Sequence, residues 1–219
     1  MQLTHLKRQR ATDEVYLALR QGILGHLFSP GERLQVDEIA GKLGVSLTPV
    51  RHAIQQLSAE GLIEIRPRSG TFVAKLTARD IEETSDLRCA LECLAGEKAI
   101  ERITPEQIAS FHELLTLLAR PIHSEGDRKA HEENNSRFHR LLIDCSGNLR
   151  LAESYEGLHA HLVIARAHSH DTGWEARLPI EHAEHEEIVT ALEARDLPRL
   201  TRALRTHILR GRFSMTQRL

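Results

Sequence analysis

Residues 44–73 read GVSLTPVRHAIQQLSAEGLIEIRPRSGTFV, and the order of residue types in this stretch decides the fold of the first third of the chain. Ser46 stands at the start of an apolar-periodic run with Pro49 in its first turn, where a missing N–H leaves no helical bond unmade. Val50, Ala53, Ile54 and Leu57 recur at helical spacing and give the run one buried face, and Gly61 ends it. LIEI and TFVAKL then read as short strands joined by the basic turn RPRSG.

Upstream, TDEVYLALRQGILGH predicts a helix capped by Thr12, with Val15, Leu19 and Ile23 on one stripe. Pro30-Gly31 marks a turn, and VDEIAGKLG a second short helix closed by Gly44. Three helices followed by a two-stranded ribbon form a winged helix-turn-helix. In that module the first turn of the third helix fits the major groove of duplex DNA, and its free N–H groups favour a phosphate. Ser46, Thr48, Arg51 and His52 are therefore the expected reading and anchoring residues. Arg66, Arg68, Ser69 and Gly70, at the ribbon tip, are placed to follow an adjacent groove or its phosphates.

Charge distribution supports two parts with different tasks. The formal net charge is −2, too small for a chain devoted entirely to polyanions. Residues 1–75 nevertheless hold ten Lys/Arg against seven Asp/Glu, and only His5, His26 and His52 of the 14 histidines fall there. With 219 residues and 41% hydrophobic composition, two compact units are expected: residues 1–75 and residues 76–219. No run of about 18 apolar residues predicts a membrane span, and MQLTHLKRQR lacks the apolar segment of a secretory signal. Three cysteines, an odd number, fit a reducing compartment, so the expected location is the cytoplasm.

From Thr77 onward the periodicity is helical throughout. Helices are expected over LTARDIEETSDLRCALECLAGEKAIER, TPEQIASFHELLTLLAR and about 130–145, 149–168, 179–194 and 197–213, with PIHSEGDRK as a loop. The fold class is thus mainly α, a winged helix-turn-helix followed by an all-α bundle. Three histidines fall on core-facing stripes of three different helices: His139 with Leu142, His185 with Ile188 and Leu192, and His207 with Leu200, Ala203 and Leu204. Each would bury a ring nitrogen needing a partner, and one shared cation satisfies all three. Taken singly, each could equally be a hydrogen-bonded core histidine.

PGERLQVDEIAGKLGVSLTPVRHAIQQLSAEGLIEIRPRSGTFV resembles the DNA-binding domain of the GntR family of bacterial transcriptional regulators, over about residues 10–75. Two departures stand out: Leu47 and Asp37 occupy positions where the family often carries arginine. Arginine is the usual bidentate reader of guanine, so the operator is expected to differ from the commonest family site. Residues 77–213 resemble the helical FCD effector domain of the FadR branch. That resemblance implies a divalent metal held by Asn135, His139, His185 and His207, with asparagine where aspartate is frequent. It also implies an effector-facing arginine at Arg88; Arg166, on the Leu158–Leu162 stripe, is a second candidate. Zinc or nickel suits so histidine-rich a set.

These readings lead to a non-enzymatic regulator, a homodimeric repressor on a pseudo-palindromic DNA operator, released or retained by a small carboxylate at the metal. One alternative is a regulator for which the ion itself is the signal. A second is a histidine-metal hydrolase with a DNA-binding head, but no H-E-x-x-H, Gly-rich phosphate loop or G-x-S-x-G elbow is present.

Overall fold

A computed structural model of the chain describes residues 9–25, 27–168 and 175–216, with the backbone alone at 9, 10, 159 and 162–168. Two compact units result: the chain up to Thr77 together with Ala160–His168, and Ala78–His159 together with Ser169–Leu219. No described helix is long and apolar enough to cross a membrane.

The first unit contains α1 (Gln9–Leu24), α2 (Val36–Leu43) and α3 (Leu47–Ala59), with strands β1 (Arg33–Leu34), β2 (Ile63–Arg66) and β3 (Gly70–Val73). Val15, Leu19 and Ile23 of α1 are buried with Val50, Ala53, Ile54 and Leu57 of α3, so the predicted stripes form the core. Tyr16 donates its hydroxyl proton to Glu60 (2.8 Å), tying α1 to the end of α3. Gly44 ends α2 at φ 65°, where a side chain is disfavoured, and its N–H reaches the carbonyls of Ala40 and Gly41.

The ribbon is a three-stranded antiparallel sheet in the order β1-β3-β2, with Ile63 opposite Val73, Arg66 opposite Gly70, and Arg33 opposite Phe72. Sequence periodicity cannot reveal β1, because two residues show no alternation. A further correction concerns Thr12, which lies inside α1 and not at its cap: the stripe fixes which face is buried, not where the helix starts.

Among the described residues the rest of the chain forms helices only: α4 (Ala78–Arg102), α5 (Pro105–Leu118), α6 (Glu125–Cys145), α7 (Leu149–His168), α8 (Leu178–Glu193) and α9 (Leu197–Thr216), with a short 3-10 turn at Glu175–Arg177. The last nine residues of α7 count with the first unit. Thr104 and Gln107 cap α5 reciprocally. Helix α6 starts within the predicted loop, because the Ser124 hydroxyl accepts the Asp127 N–H (3.1 Å) while donating to the Asp127 carboxylate (2.7 Å). That cap outweighs Gly126 and the local polarity.

Phe111, Phe138, Leu142, Ile188, Leu192, Leu200 and Leu204 form one continuous buried core. Gly96 lets α4 and α9 approach, since a Cβ there would lie 2.9 Å from Leu200 Cδ2. At the far end of α4, Arg195 donates to the carbonyls of Ile100 (2.6 Å) and Ile103 (3.1 Å). This arrangement sets α4, α6, α8 and α9 around a cluster of buried polar side chains.

Candidate functional site

In the first unit, α3 presents its opening turn to solvent. Ser46, Thr48, Arg51 and His52 are exposed, while Val50 and Ala53 between them are fully buried. Ser46 occupies the N-cap position with extended backbone, but its hydroxyl makes no capping hydrogen bond. Ser46 thus opens the helix in position without bonding to it, which leaves the oxygen available outward. Leu47 is half-buried beside it.

At the ribbon, Arg66, Arg68 and Ser69 are exposed and Gly70 half-buried. Arg68 has φ 63° and Gly70 φ 126°, so the tip turns through left-handed backbone at an arginine. The Arg66 guanidinium pairs with Glu64 (2.7 Å) and lies 4.5 Å from the centre of the Phe72 ring. Strand contacts thus hold it in place before any partner arrives. A residue the sequence did not single out joins this surface: Arg33 of β1 is exposed, and its Nε lies 2.9 Å from where a Gly70 Cβ would be.

In the second unit the three histidines converge. His139 of α6, His185 of α8 and His207 of α9 are buried, and one nitrogen from each lies within 4.8 Å of the others. His139 Nε2 is 3.1 Å from His207 Nε2 and 3.4 Å from His185 Nε2. Each outer nitrogen of two of the rings has a carboxylate: His139 Nδ1 meets Glu92 at 2.8 Å, and His207 Nδ1 meets Glu184 at 3.0 Å. A carboxylate accepts only, so both Nδ1 atoms carry a proton; in the neutral imidazole form each Nε2 then carries a lone pair. The two Nε2 atoms face each other at 3.1 Å, and with both rings neutral they are two lone pairs converging on one point, as metal ligation requires.

Glu92, of α4, is the hub. It is fully buried and takes the Arg88 Nε–H (2.7 Å), the His139 Nδ1–H (2.8 Å) and the Tyr155 hydroxyl (3.1 Å). Burial alone would raise its pKa, but Arg88 and His139 outweigh that and hold it well below the usual carboxylate range. For Arg88, burial works against the charge and Glu92 overcomes it, so the guanidinium stays protonated. Burial, followed by the Arg88 charge, pushes His139 down to about 3, and burial with the neighbouring rings carries His185 well below its ordinary value. Both are neutral imidazoles at pH 7. Glu184, braced by Arg210 at 2.5 and 2.6 Å, is lowered to about 2: burial opposes its charge, but the His207 and Arg210 bonds prevail.

The donor set fits a divalent cation. Two nitrogens bound at about 2.0–2.1 Å to one ion lie about 3.0 Å apart at a right angle and about 3.4 Å apart in a tetrahedron, the range observed here. Asn135, one turn before His139, is buried with its Oδ1 lacking any hydrogen-bond partner. Arg88 Nη2 is likewise buried and unpartnered. Arg88 is therefore no solvated surface arginine; it sits one carboxylate away from His139. Arg166 lies outside the residues whose side chains are described. Glu92, Glu184 and Tyr155 were not picked out in the sequence, and the spacing of Glu92 four residues after Arg88 was their one local trace.

With this geometry in view, comparisons with known proteins give a consistent result. Residues 11–73 match the profile of bacterial regulatory proteins of the gntR family, and residues 83–210 match that of the FCD domain. The uncharacterized HTH-type transcriptional regulator YdhC of Bacillus subtilis (strain 168) is 32% identical over 143 residues, 65% of this chain and 64% of that protein's length. The HTH-type transcriptional repressor RspR of Escherichia coli (strain K12) is 29% identical over 203 residues, covering 91% of this chain and 86% of RspR. Among solved structures, E. coli McbR/YncC superposes with a TM-score of 0.79 at 24% identity, over 94% of this chain and 97% of that one, a likeness of fold.

Proposed function

The chain belongs to the GntR family of bacterial regulatory proteins and carries an FCD domain, and from that premise we propose that it represses transcription by holding a pseudo-palindromic operator until a small organic acid binds at a metal in the second unit. It is a transcriptional regulator and not an enzyme, which sets the hydrolase reading aside. In this reading Ser46, Thr48, Arg51 and His52 enter the major groove, with Arg66, Arg68, Ser69 and Gly70 on the neighbouring backbone. Arg33 adds positive charge beside the tip. Leu47 supplies an apolar contact where an arginine would read guanine.

One observation supports the effector half: three buried imidazoles from three helices bring their nitrogens together, two of them backed by a carboxylate on the far nitrogen. Neutral imidazoles so placed offer their lone pairs to a single cation. His139, His185 and His207 would hold the ion, with the Asn135 amide oxygen as a fourth, uncharged ligand. A bound divalent cation supplies open positions that attract carboxylates. The chain's own part is to orient two of the rings through Glu92 and Glu184, and to offer Arg88 Nη2 to an incoming acid. Zinc or nickel suits these ligands.

The test has two arms. Elemental analysis of protein purified without chelator is expected to find about one ion per chain, lost in H139A/H185A; equal contents would remove the metal. A duplex selected from a random library is then titrated with protein, zinc, and a panel of small mono- and dicarboxylates. Affinity that changes with an acid only when zinc is present supports the reading. Affinity that follows zinc alone favours the ion as signal. Affinity indifferent to both refutes effector control.

A further inference from the structure

We infer that Cys89 and Cys93 form a dithiol site for a trivalent, thiol-seeking metalloid of the arsenite class, held by both sulfurs and separate from the histidine centre. All three cysteines of the chain are free thiols. Cys145 is buried on α6, whereas Cys89 and Cys93 stand four residues apart on α4, the first buried and the second half-buried. The pair lies on the seam with α9. Along that seam a Cβ on Gly96 would meet Leu200 and Leu204, and Asp86 pairs with Arg212 at 2.9 Å. These contacts bracket the thiols, since Asp86, Cys89, Cys93 and Gly96 follow at intervals of three, four and three along one helix face. Cys93 also feels the charge of Arg205, again from α9.

Spacing and charge select the guest. Residues i and i+4 of a helix carry Cβ atoms about 5–6 Å apart, whereas a disulfide needs about 3.5–4.5 Å. Direct closure would therefore distort α4 at the turn that carries Arg88 and Glu92. One atom inserted between the sulfurs relaxes that demand: two bonds of about 2.3 Å hold them roughly 3.3–3.8 Å apart, against about 2.0 Å in a disulfide. Burial, with Cys89 adding to it, pushes the Cys93 thiol up to about 11, so it is protonated at neutral pH. A metal cation would have to expel thiol protons beside the Arg205 charge. Arsenous acid is uncharged and meets neither obstacle. Two As–O bonds break and two As–S bonds form, and each departing hydroxide leaves as water with one thiol proton. Arsenic stays trivalent throughout, and no oxidant is called on.

Phenylarsine oxide, whose single oxygen leaves as water when two thiols bind, tests the site on the full, reduced, folded chain. Wild type is expected to keep one phenylarsenic group in excess monothiol, seen by native mass spectrometry, and to lose it to a dithiol competitor. Its affinity should exceed that of C89S or C93S by about a hundredfold or more, because the second thiol acts at the effective concentration of a tethered neighbour. C145A should match wild type. Helical circular dichroism and metal content unchanged in all variants show that the bundle is intact. Wild-type affinity within about tenfold of both serine variants, or a comparable loss in C145A, overturns the proposal. A second measurement needs no substitution: arsenic X-ray absorption of the arsenite-loaded wild type should find two sulfurs and one oxygen around each arsenic. One sulfur or three refutes the pair. Neither readout involves DNA or a carboxylate, so this site stands or falls apart from the regulatory reading.

Discussion

Replacing Glu92 by Gln tests the logic of the histidine centre. The carboxylate is fully buried and accepts from Arg88, His139 and Tyr155 at 2.7, 2.8 and 3.1 Å. An amide offers one acceptor oxygen and one NH2, so it must turn a donor toward either the guanidinium or His139 Nδ1–H. In either case the Arg88 charge loses its counter-ion, which costs about 3–5 kcal/mol when a buried pair is broken on one side; in the first it also faces a donor. In the second the His139 ring must change tautomer, placing a proton on the Nε2 that faces His207. Loss of a carboxylate behind a ligating histidine lowers metal affinity about ten- to a hundredfold, or about 1.4–2.7 kcal/mol. Zinc affinity of E92Q, measured by competition with a chromophoric chelator, should therefore fall by that factor. Urea unfolding of the metal-free protein should show a loss of about 3 kcal/mol or more. Glu184→Gln should do less, since Glu184 is only partly buried and keeps Arg210 beside it. Zinc affinity of E92Q within about threefold of wild type would refute an orienting role for this carboxylate.

Four further outcomes follow from the same geometry. Arg51→Ala should weaken binding to all duplexes alike and reduce the salt slope by about one, whereas Leu47→Arg should change base preference; mobility shifts over a salt series distinguish the two. Arg68→Gly should leave the fold unharmed or gain about 1 kcal/mol, because φ 63° suits glycine, while operator affinity falls; a loss of stability would contradict this. Gly96→Val should destabilise the second unit by about 1–3 kcal/mol through its clash with fully buried Leu200, read from thermal unfolding. Burial and the Glu60 hydrogen bond raise the Tyr16 pKa, so its contribution is complete below about pH 10 and lost as pH rises through the folded value; Tyr16→Phe should flatten stability against pH in that alkaline range.

What the sequence revealed was whatever it stores locally. Helix α3 was legible because Ser46, Pro49 and Gly61 mark its ends and four apolar residues its face. The histidine triad was legible because each member shares a stripe with core leucines or isoleucines. Glu92 escaped because it reaches His139 from 47 positions away, and a carboxylate on a helix ordinarily faces water. Arg33 escaped because β1 exists only as a partner to β3. The start of α6 was misjudged where a serine–aspartate cap converts a polar segment into helix. Pairings at long range, and caps that override composition, are what a periodicity count leaves out.

The clamp of Arg195 on the carbonyls of Ile100 and Ile103 gives α4 a fulcrum. Were the packing along the rest of its length to yield, a rod pinned there would swing, with a travel that grows with distance from the pin. Arg88 lies about 21 Å from Arg102 and Ala78 about 36 Å, at 1.5 Å per residue. A nudge of one ångström where an acid would touch the guanidinium would then become roughly 1.7 Å at the helix origin, by simple proportion of those lengths. Mechanical advantage of this kind is available to the chain without any hinge in the helix itself.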